Sequence, residues 1–257
     1  MKDLQGKIAL VTGASRANGI GAAICRELAE NGCDVFFSYW MPYDLSMPWS
    51  VVEDEPSKLL TELRELEVQA ASLEIDLSLP ESPARLIKTV TEQFGSPDIL
   101  VNNAAYSTET SILAVTAEEL DRHYFINVRA AVLLSSEFAK RFTKKTGGRI
   151  INISSGQFQG PMPSELAYAA TKGAVDALTI TMAAEAAPLG ITVNAINPGP
   201  TDTGWMTEEL KRDLKARFPF GRAGKPADAA KLVKFLASRE ADWITGQIIH
   251  SEGGFIR

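Results

Sequence analysis

The pentapeptide YAATK sets Tyr168 and Lys172 four residues apart, and in a helix that spacing puts both side chains on one face. A neighbouring ammonium stabilises a phenolate and draws a tyrosine down from its ordinary pKa of about 10. Such a phenol can give a proton to a carbonyl oxygen, or take it back in the reverse direction. The spacing also suits a half-buried aromatic beside a lysine whose stem lies along apolar surface. Just before this helix the run GRIINISS ends in Ser154 and Ser155. Ser155 can hold a substrate oxygen, and successive residues of a strand face opposite ways, so only one of the two serines reaches such a site. Asn127 lies within a helical pattern. Its carboxamide can bond to its own backbone and hold a water that passes protons to Lys172, or simply bridge two helices.

A second group of residues could bind rather than react. In VTGASRANGIG, residues 11–21, a short apolar strand turns through Gly13, Gly19 and Gly21 into a helix. That turn gathers backbone N–H groups and the positive end of a helix dipole, which suits a pyrophosphate. The G-x-G-x-x-G fingerprint is absent, and a glycine-rich bend can also serve only to close a tight turn. Arg16 sharpens the reading, because a guanidinium here can pair with a further phosphate, such as that on the ribose of NADPH. No acid stands at Ser38, Tyr39 or Trp40, where one would take the ribose hydroxyls of NAD. Together these favour NADP(H) and leave NAD(H) possible, since Asp34 lies a little earlier. Asp76, at the end of a third strand, can accept from an adenine amino group or cap the next helix. Asn102, Asn103, Ala104 and Ala105 offer two carboxamides and two small residues at the end of a fourth strand.

These residues need a scaffold that brings strand ends together. Strands are predicted at 7–13, 33–40, 71–77, 98–104, 148–155, 191–197 and within 246–254. Between them, helical patterns occupy 20–28, 57–66, 82–95, 116–142, 165–187, 206–216 and 226–238. Thr116 and Glu119, followed by Leu120, read as a capping box opening a continuous helix. Alternating strands and helices predict a parallel sheet covered on both faces, with ligands beyond the carboxyl ends of the strands. The segment 41–58, with three prolines and two tryptophans in or beside it, is long for a connection in such a fold and reads as a surface loop or lid.

Composition narrows the function classes. The 257 residues suffice for one layered α/β domain spanning 1–257. A net charge of −6, without a concentrated basic block, argues against a nucleic-acid surface. The two cysteines, Cys25 and Cys33, lack nearby histidines for a metal site and read as reduced thiols. The opening residues lack the apolar core of a signal peptide, and no run approaches the roughly 20 apolar residues of a membrane span. A cytoplasmic protein with no membrane partner is expected.

In its ordered landmarks, TGASRANGIG, NNAA, Asn127, INISS, YAATK and NPGPTDT, the chain resembles the classical short-chain dehydrogenase/reductase family, and 3-oxoacyl-acyl-carrier-protein reductases in particular. The resemblance runs over essentially the full length and implies a Rossmann-like, doubly wound parallel sheet of seven strands with helices on both faces. It implies Tyr168 as acid/base, Lys172 binding ribose and tuning the tyrosine, Ser155 rather than Ser154 orienting the carbonyl, and Asn127 holding a relay water. For the coenzyme it implies Gly13, Ser15, Arg16, Asn18, Gly19, Ile20, Gly21, Asp76, Leu77, Asn103, Ala104, Ala105, Pro198, Gly199, Thr201 and Thr203, with Thr203 at the nicotinamide carboxamide. A homotetramer built around 117–142 and 168–187 is also implied.

Three departures stand out. The glycine loop carries two extra residues against the common TG-x3-G-x-G form, Ala105 replaces the usual final glycine of NNAA, and the insertion after Trp40 lies beside the expected adenosine 2′-phosphate pocket. A covering segment at 203–220 would place Trp205, Met206, Leu210 and Phe218 over the nicotinamide, with residues 155–162 forming the opposite wall and Gln157 and Phe158 closest to the ligand. The expected activity is reversible reduction of a ketone to a secondary alcohol with NADP(H). The substrate is a small carbonyl compound or its alcohol, among which a 3-oxoacyl thioester, free or on acyl carrier protein, is one candidate. The competing class is a dinucleotide-binding regulatory or scaffold protein that keeps the fold without turnover.

Overall fold

A computed structural model of the chain describes residues 3–47, 49 and 54–257. Seven strands form one parallel sheet: β1 (Ile8–Val11), β2 (Asp34–Tyr39), β3 (Ala70–Glu74), β4 (Ile99–Asn102), β5 (Gly148–Ile153), β6 (Ile191–Asn197) and β7 (Ile248–His250). Their order in space is β3-β2-β1-β4-β5-β6-β7. The order reverses between β1 and β4, so the connections leaving these two strands diverge and open a crevice at their carboxyl ends. Central strands read as unbroken apolar runs, with IALV and ILVN nearly or wholly buried, because helices cover both sides. The buried apolar residues accordingly divide into two clusters. Ile24, Leu28, Phe37 and Val233 belong to one, and Phe36, Leu86, Leu134 and Phe138 to the other. Alternate side chains of β2, Phe36 and Phe37, thus enter different layers.

The helices are α1 (Ile20–Glu30), α2 (Met41–Ser46), α3 (Glu55–Glu65), α4 (Ser82–Phe94), α5 (Ala117–Tyr124), α6 (Ala131–Arg141), α7 (Leu166–Ala186), α8 (Glu208–Lys215) and α9 (Pro226–Ala237). Three differ from the sequence expectation. The segment 41–58 is not simply a loop: α2 opens it with Pro42 in its first turn, where the missing N–H costs nothing. The expected surface loop also includes 48 and 50–53, which lie outside the described residues. The expected continuous helix over 116–142 is broken by a π-helical turn, Phe125–Ala130, that carries Asn127. One extra residue in a helical turn shifts the faces on either side of it, which hydrophobic spacing alone does not reveal. The capping box at Thr116 is half formed. Thr116 accepts from the Glu119 N–H at 3.2 Å, but the Glu119 carboxylate accepts from the Thr108 hydroxyl at 2.6 Å instead of turning back. The last strand covers only Ile248–His250 of the expected 246–254, since Gly246, Gly253 and Gly254 have positive φ.

Cys25 and Cys33 are both free and buried. No helix among the described residues is long and apolar enough to cross a membrane.

Candidate active site

A cleft of about 1250 Å³ opens at the reversal point of the sheet. Along one side runs the glycine loop, with Gly13, Ser15, Arg16, Gly19, Ile20 and Gly21, and beside it Asp76 and Leu77. Asn103, Ala104 and Ala105 form the floor, while Pro198, Gly199, Thr201 and Thr203 face the loop from beyond β6. Ser155, Tyr168 and Lys172 line the same cleft. Of the residues expected to hold a coenzyme, Asn18 alone is elsewhere. It is exposed and borders a separate depression with Arg26 and Lys211, because the two extra loop residues carry it outward.

Hydrogen bonds of the NNAA segment fix the glycine loop. Asn103 Nδ2 donates to the carbonyls of Thr12 and Gly13, each at 2.8 Å, while the Thr12 hydroxyl accepts from the N–H groups of Asn103 and Ala104. Asn102 donates to Asn152 Oδ1 at 2.8 Å and so ties β4 to β5. Gly13 has φ +73°, and a Cβ there would fall 2.6 Å from Ala104 Cα, so both conformation and proximity require glycine. Gly21 is needed for space: its Cβ would fall 2.4 Å from the Gly13 carbonyl oxygen.

The cleft has the donors a dinucleotide needs. Gly19 occupies the cap position of α1, so no side chain covers the N–H groups of that helix's first turn, and Gly19, Ile20 and Gly21 border the cleft there. An uncapped N-terminus at a strand–helix turn is an anion site. Asp76 does not cap the following helix. Its carboxylate accepts the Ser78 N–H at 2.8 Å and still borders the cleft. These residues fit NADP(H), whose pyrophosphate would be held by the start of α1, its adenine by Asp76 and Leu77, and its ribose and nicotinamide by Lys172 and Thr203.

At the other end of the cleft both serines lie just past the end of β5 and both border the cleft, where strand alternation lets only one be expected. Ser154 is buried and donates to Asp176 at 2.5 Å, whereas Ser155 is half-buried and borders the cleft together with Tyr168. Lys172, buried, donates from Nζ to the Ile153 carbonyl at 2.6 Å, and its ammonium lies 5.4 Å from the Tyr168 ring centroid. Burial lowers the lysine to about 8, with the Asp176 carboxylate acting against that shift. Burial also pushes the Tyr168 phenol well above its usual range; the Glu165 carboxylate adds to the rise and Ser155 opposes it. The expected acidification of Tyr168 by Lys172 is therefore not the balance struck in this structure. The ammonium is turned to a carbonyl and desolvation dominates both groups.

Asn127 is placed differently from expectation. Its Oδ1 accepts from the Tyr106 N–H at 2.7 Å, and its Nδ2 donates to the Tyr106 carbonyl at 2.9 Å and to Thr171 at 3.0 Å. Both N–H donors are thus committed to protein, not to the residue's own backbone. The side chain braces the loop after β4 against α7, one residue from Lys172.

The expected substrate walls need correction. Gln157 donates to Asp176 at 2.5 Å and Phe158 is 74% exposed beside Gly173. Beyond Ile153 the chain folds over α7, which carries both away from the cleft, and Pro161, Met162 and Pro163 border it instead. Trp205 does line the cleft, held by its indole N–H on the Thr201 carbonyl at 2.9 Å. Met206 is buried against the separate depression, and Phe218 packs on Phe255 with ring centroids 4.8 Å apart. Sequence reasoning also missed Tyr43, Asp44, Met47 and Trp49 of the insertion, all of which border the cleft. The one signal that pointed there was the length of the insertion.

Known proteins are similar to this chain over nearly its whole length. The family model described as enoyl-(acyl carrier protein) reductase matches residues 13–256. The uncharacterized oxidoreductase YjdA of Bacillus subtilis is 49% identical over 259 residues, covering 100% of both chains. The 3-oxoacyl-[acyl-carrier-protein] reductase FabG of Staphylococcus epidermidis is 34% identical over 96% of this chain and 98% of its own. Among solved structures, a blue fluorescent protein from a metagenomic library, in complex with NADPH, superposes with a TM-score of 0.88. It is 32% identical and the match covers 99% of this chain and 100% of that one.

Proposed function

The chain belongs to the classical short-chain dehydrogenase/reductase family, and from that premise we propose that it is an NADP(H)-dependent oxidoreductase interconverting a ketone and a secondary alcohol. The observation that carries this reading is the meeting of Ser155, Tyr168 and Lys172 in one cleft with the glycine loop. When bound, the coenzyme supplies or accepts hydride at the carbonyl carbon. Ser155 and Tyr168 present hydroxyls to the substrate oxygen. Because burial holds the phenol protonated through the neutral range, Tyr168 is ready to give its proton to the oxygen during reduction. Lys172, with a pKa of about 8, is largely an ammonium at neutral pH and binds ribose hydroxyls while countering charge that develops on Tyr168. Asn127 acts through position, keeping α7 and the loop after β4 in register.

Among substrates we place 3-oxoacyl thioesters, free or on acyl carrier protein, first, on the strength of the FabG similarity and of a mouth bordered by Met47, Met162 and Trp205. A homotetramer through α5–α6 and α7 is part of the same reading, supported by the exposed apolar side chains of Leu120, Tyr124, Leu166 and Ile180. The test follows NADPH absorbance with a panel of acyl thioesters and small ketones. Turnover is expected, and Tyr168→Phe should lower kcat about 10²- to 10⁴-fold while leaving NADPH binding intact. Coenzyme binding without turnover across the panel would refute the catalytic reading in favour of a regulatory protein.

A further inference from the structure

The insertion after β2 brings a carboxylate onto the one arginine of the glycine loop. Asp44, in α2, is only 4% exposed. It accepts from the Ser15 hydroxyl, pairs with Arg16 Nε at 3.3 Å and accepts from the Trp49 indole N–H at 3.3 Å. The guanidinium lies over the Trp49 ring, 4.3 Å from its centroid, and reaches across the cleft to the Thr203 carbonyl at 3.1 Å and hydroxyl at 3.4 Å. Glu55 adds a second carboxylate close by, accepting the Ala17 N–H at 2.5 Å. A buried carboxylate with three donors is a built feature, since leaving any one unmatched would be costly.

An arginine already paired in this way has less to offer a phosphate, and a phosphate brought to it also meets the charge of Asp44. We infer that Asp44 is a coenzyme-selecting residue: by holding Arg16 as a neutral pair at the glycine loop, it weakens the preference for NADP(H) over NAD(H) that Arg16 alone would confer. This rests on the dinucleotide reading above and goes beyond it by assigning the preference to a residue outside the family landmarks.

Dissociation constants for NADPH and NADH, read from nicotinamide fluorescence on binding, test the inference without turnover. Removing one charge roughly 8 Å from an anion at intermediate dielectric changes binding about five-fold. Asp44→Asn should therefore raise the NADPH-to-NADH affinity ratio about five-fold or more, and adding Arg16→Gln to it should abolish the gain. Asp44→Glu, which keeps the charge, should leave the ratio within about two-fold of wild type. An unchanged or lowered ratio in a folded Asp44→Asn protein would overturn the inference. Should that variant fail to fold, Arg16→Gln alone decides: a loss of NADPH affinity below about five-fold supports the neutral pair, and a larger loss overturns it. Wild-type protein binding neither nucleotide at millimolar concentration would instead refute the dinucleotide reading itself.

Discussion

Lys172 is held in the folded chain at a cost to stability, and replacing it with methionine should expose that cost. Its pKa falls from 10.5 to about 8 on folding, chiefly through burial, so keeping the charge at neutral pH opposes folding by roughly 3 kcal/mol. Methionine fills similar space without charge. It gives up the hydrogen bond to the Ile153 carbonyl, which returns about 1–2 kcal/mol of the gain. Lys172→Met should therefore be more stable than wild type at neutral pH by about 1–2 kcal/mol, or about 3–6 °C in Tm, while losing activity. The pH dependence identifies the cause. Between about pH 8 and 10.5 the unfolded wild-type lysine binds a proton that the folded one does not, so wild-type stability rises with pH across that window. Below it the penalty is complete, and above it the penalty vanishes. The advantage of the variant should shrink accordingly as pH climbs. Tyr168, whose pKa is raised by burial, loses its contribution in alkali in both proteins and largely cancels in the difference. Urea unfolding followed by circular dichroism, on coenzyme-free protein across this range, makes the measurement. No advantage at neutral pH, or one that stays constant towards pH 10, would refute the reasoning.

Two glycines that both lack room for a side chain should respond to very different degrees. Gly21→Ala drives a Cβ to 2.4 Å from the Gly13 carbonyl oxygen and 2.7 Å from the Asn103 amide. Neither can yield without breaking the glycine loop, so a loss of about 2–4 kcal/mol and weakened NADPH binding are expected, checked by thermal unfolding and nucleotide titration. Gly156→Ala meets Arg257 Nη2 at 1.8 Å, but that is the far end of a flexible side chain that can swing away. Thermal unfolding should show a loss below about 1 kcal/mol, and a drop as large as that of Gly21→Ala would contradict the distinction.

Periodicity located all seven strands because a sheet buried on both faces leaves each central strand as a short apolar run. Strand alternation did not extend to Ser154 and Ser155, which lie past the end of β5 and both border the cleft. Helical periodicity over 116–142 could not show the π turn at Asn127, since a single extra residue hardly disturbs the spacing on either side. Nor could local spacing show which way the chain leaves β5, so within the expected wall 155–162 Gln157 and Phe158 were placed nearest the ligand, where Ser155, Gly156, Pro161 and Met162 border the cleft.

By itself the sequence determined the sheet, the glycine turn and the pairing of Tyr168 with Lys172, because each depends on residues close along the chain. Tertiary structure alone decided the electrostatics. Asp44 meets Arg16 across 27 intervening positions, Lys172 spends its ammonium on a carbonyl of β5, and burial, with Glu165 adding to it, raises the Tyr168 phenol. Charge interactions follow distance and desolvation in space, and neither is written in the order of residues.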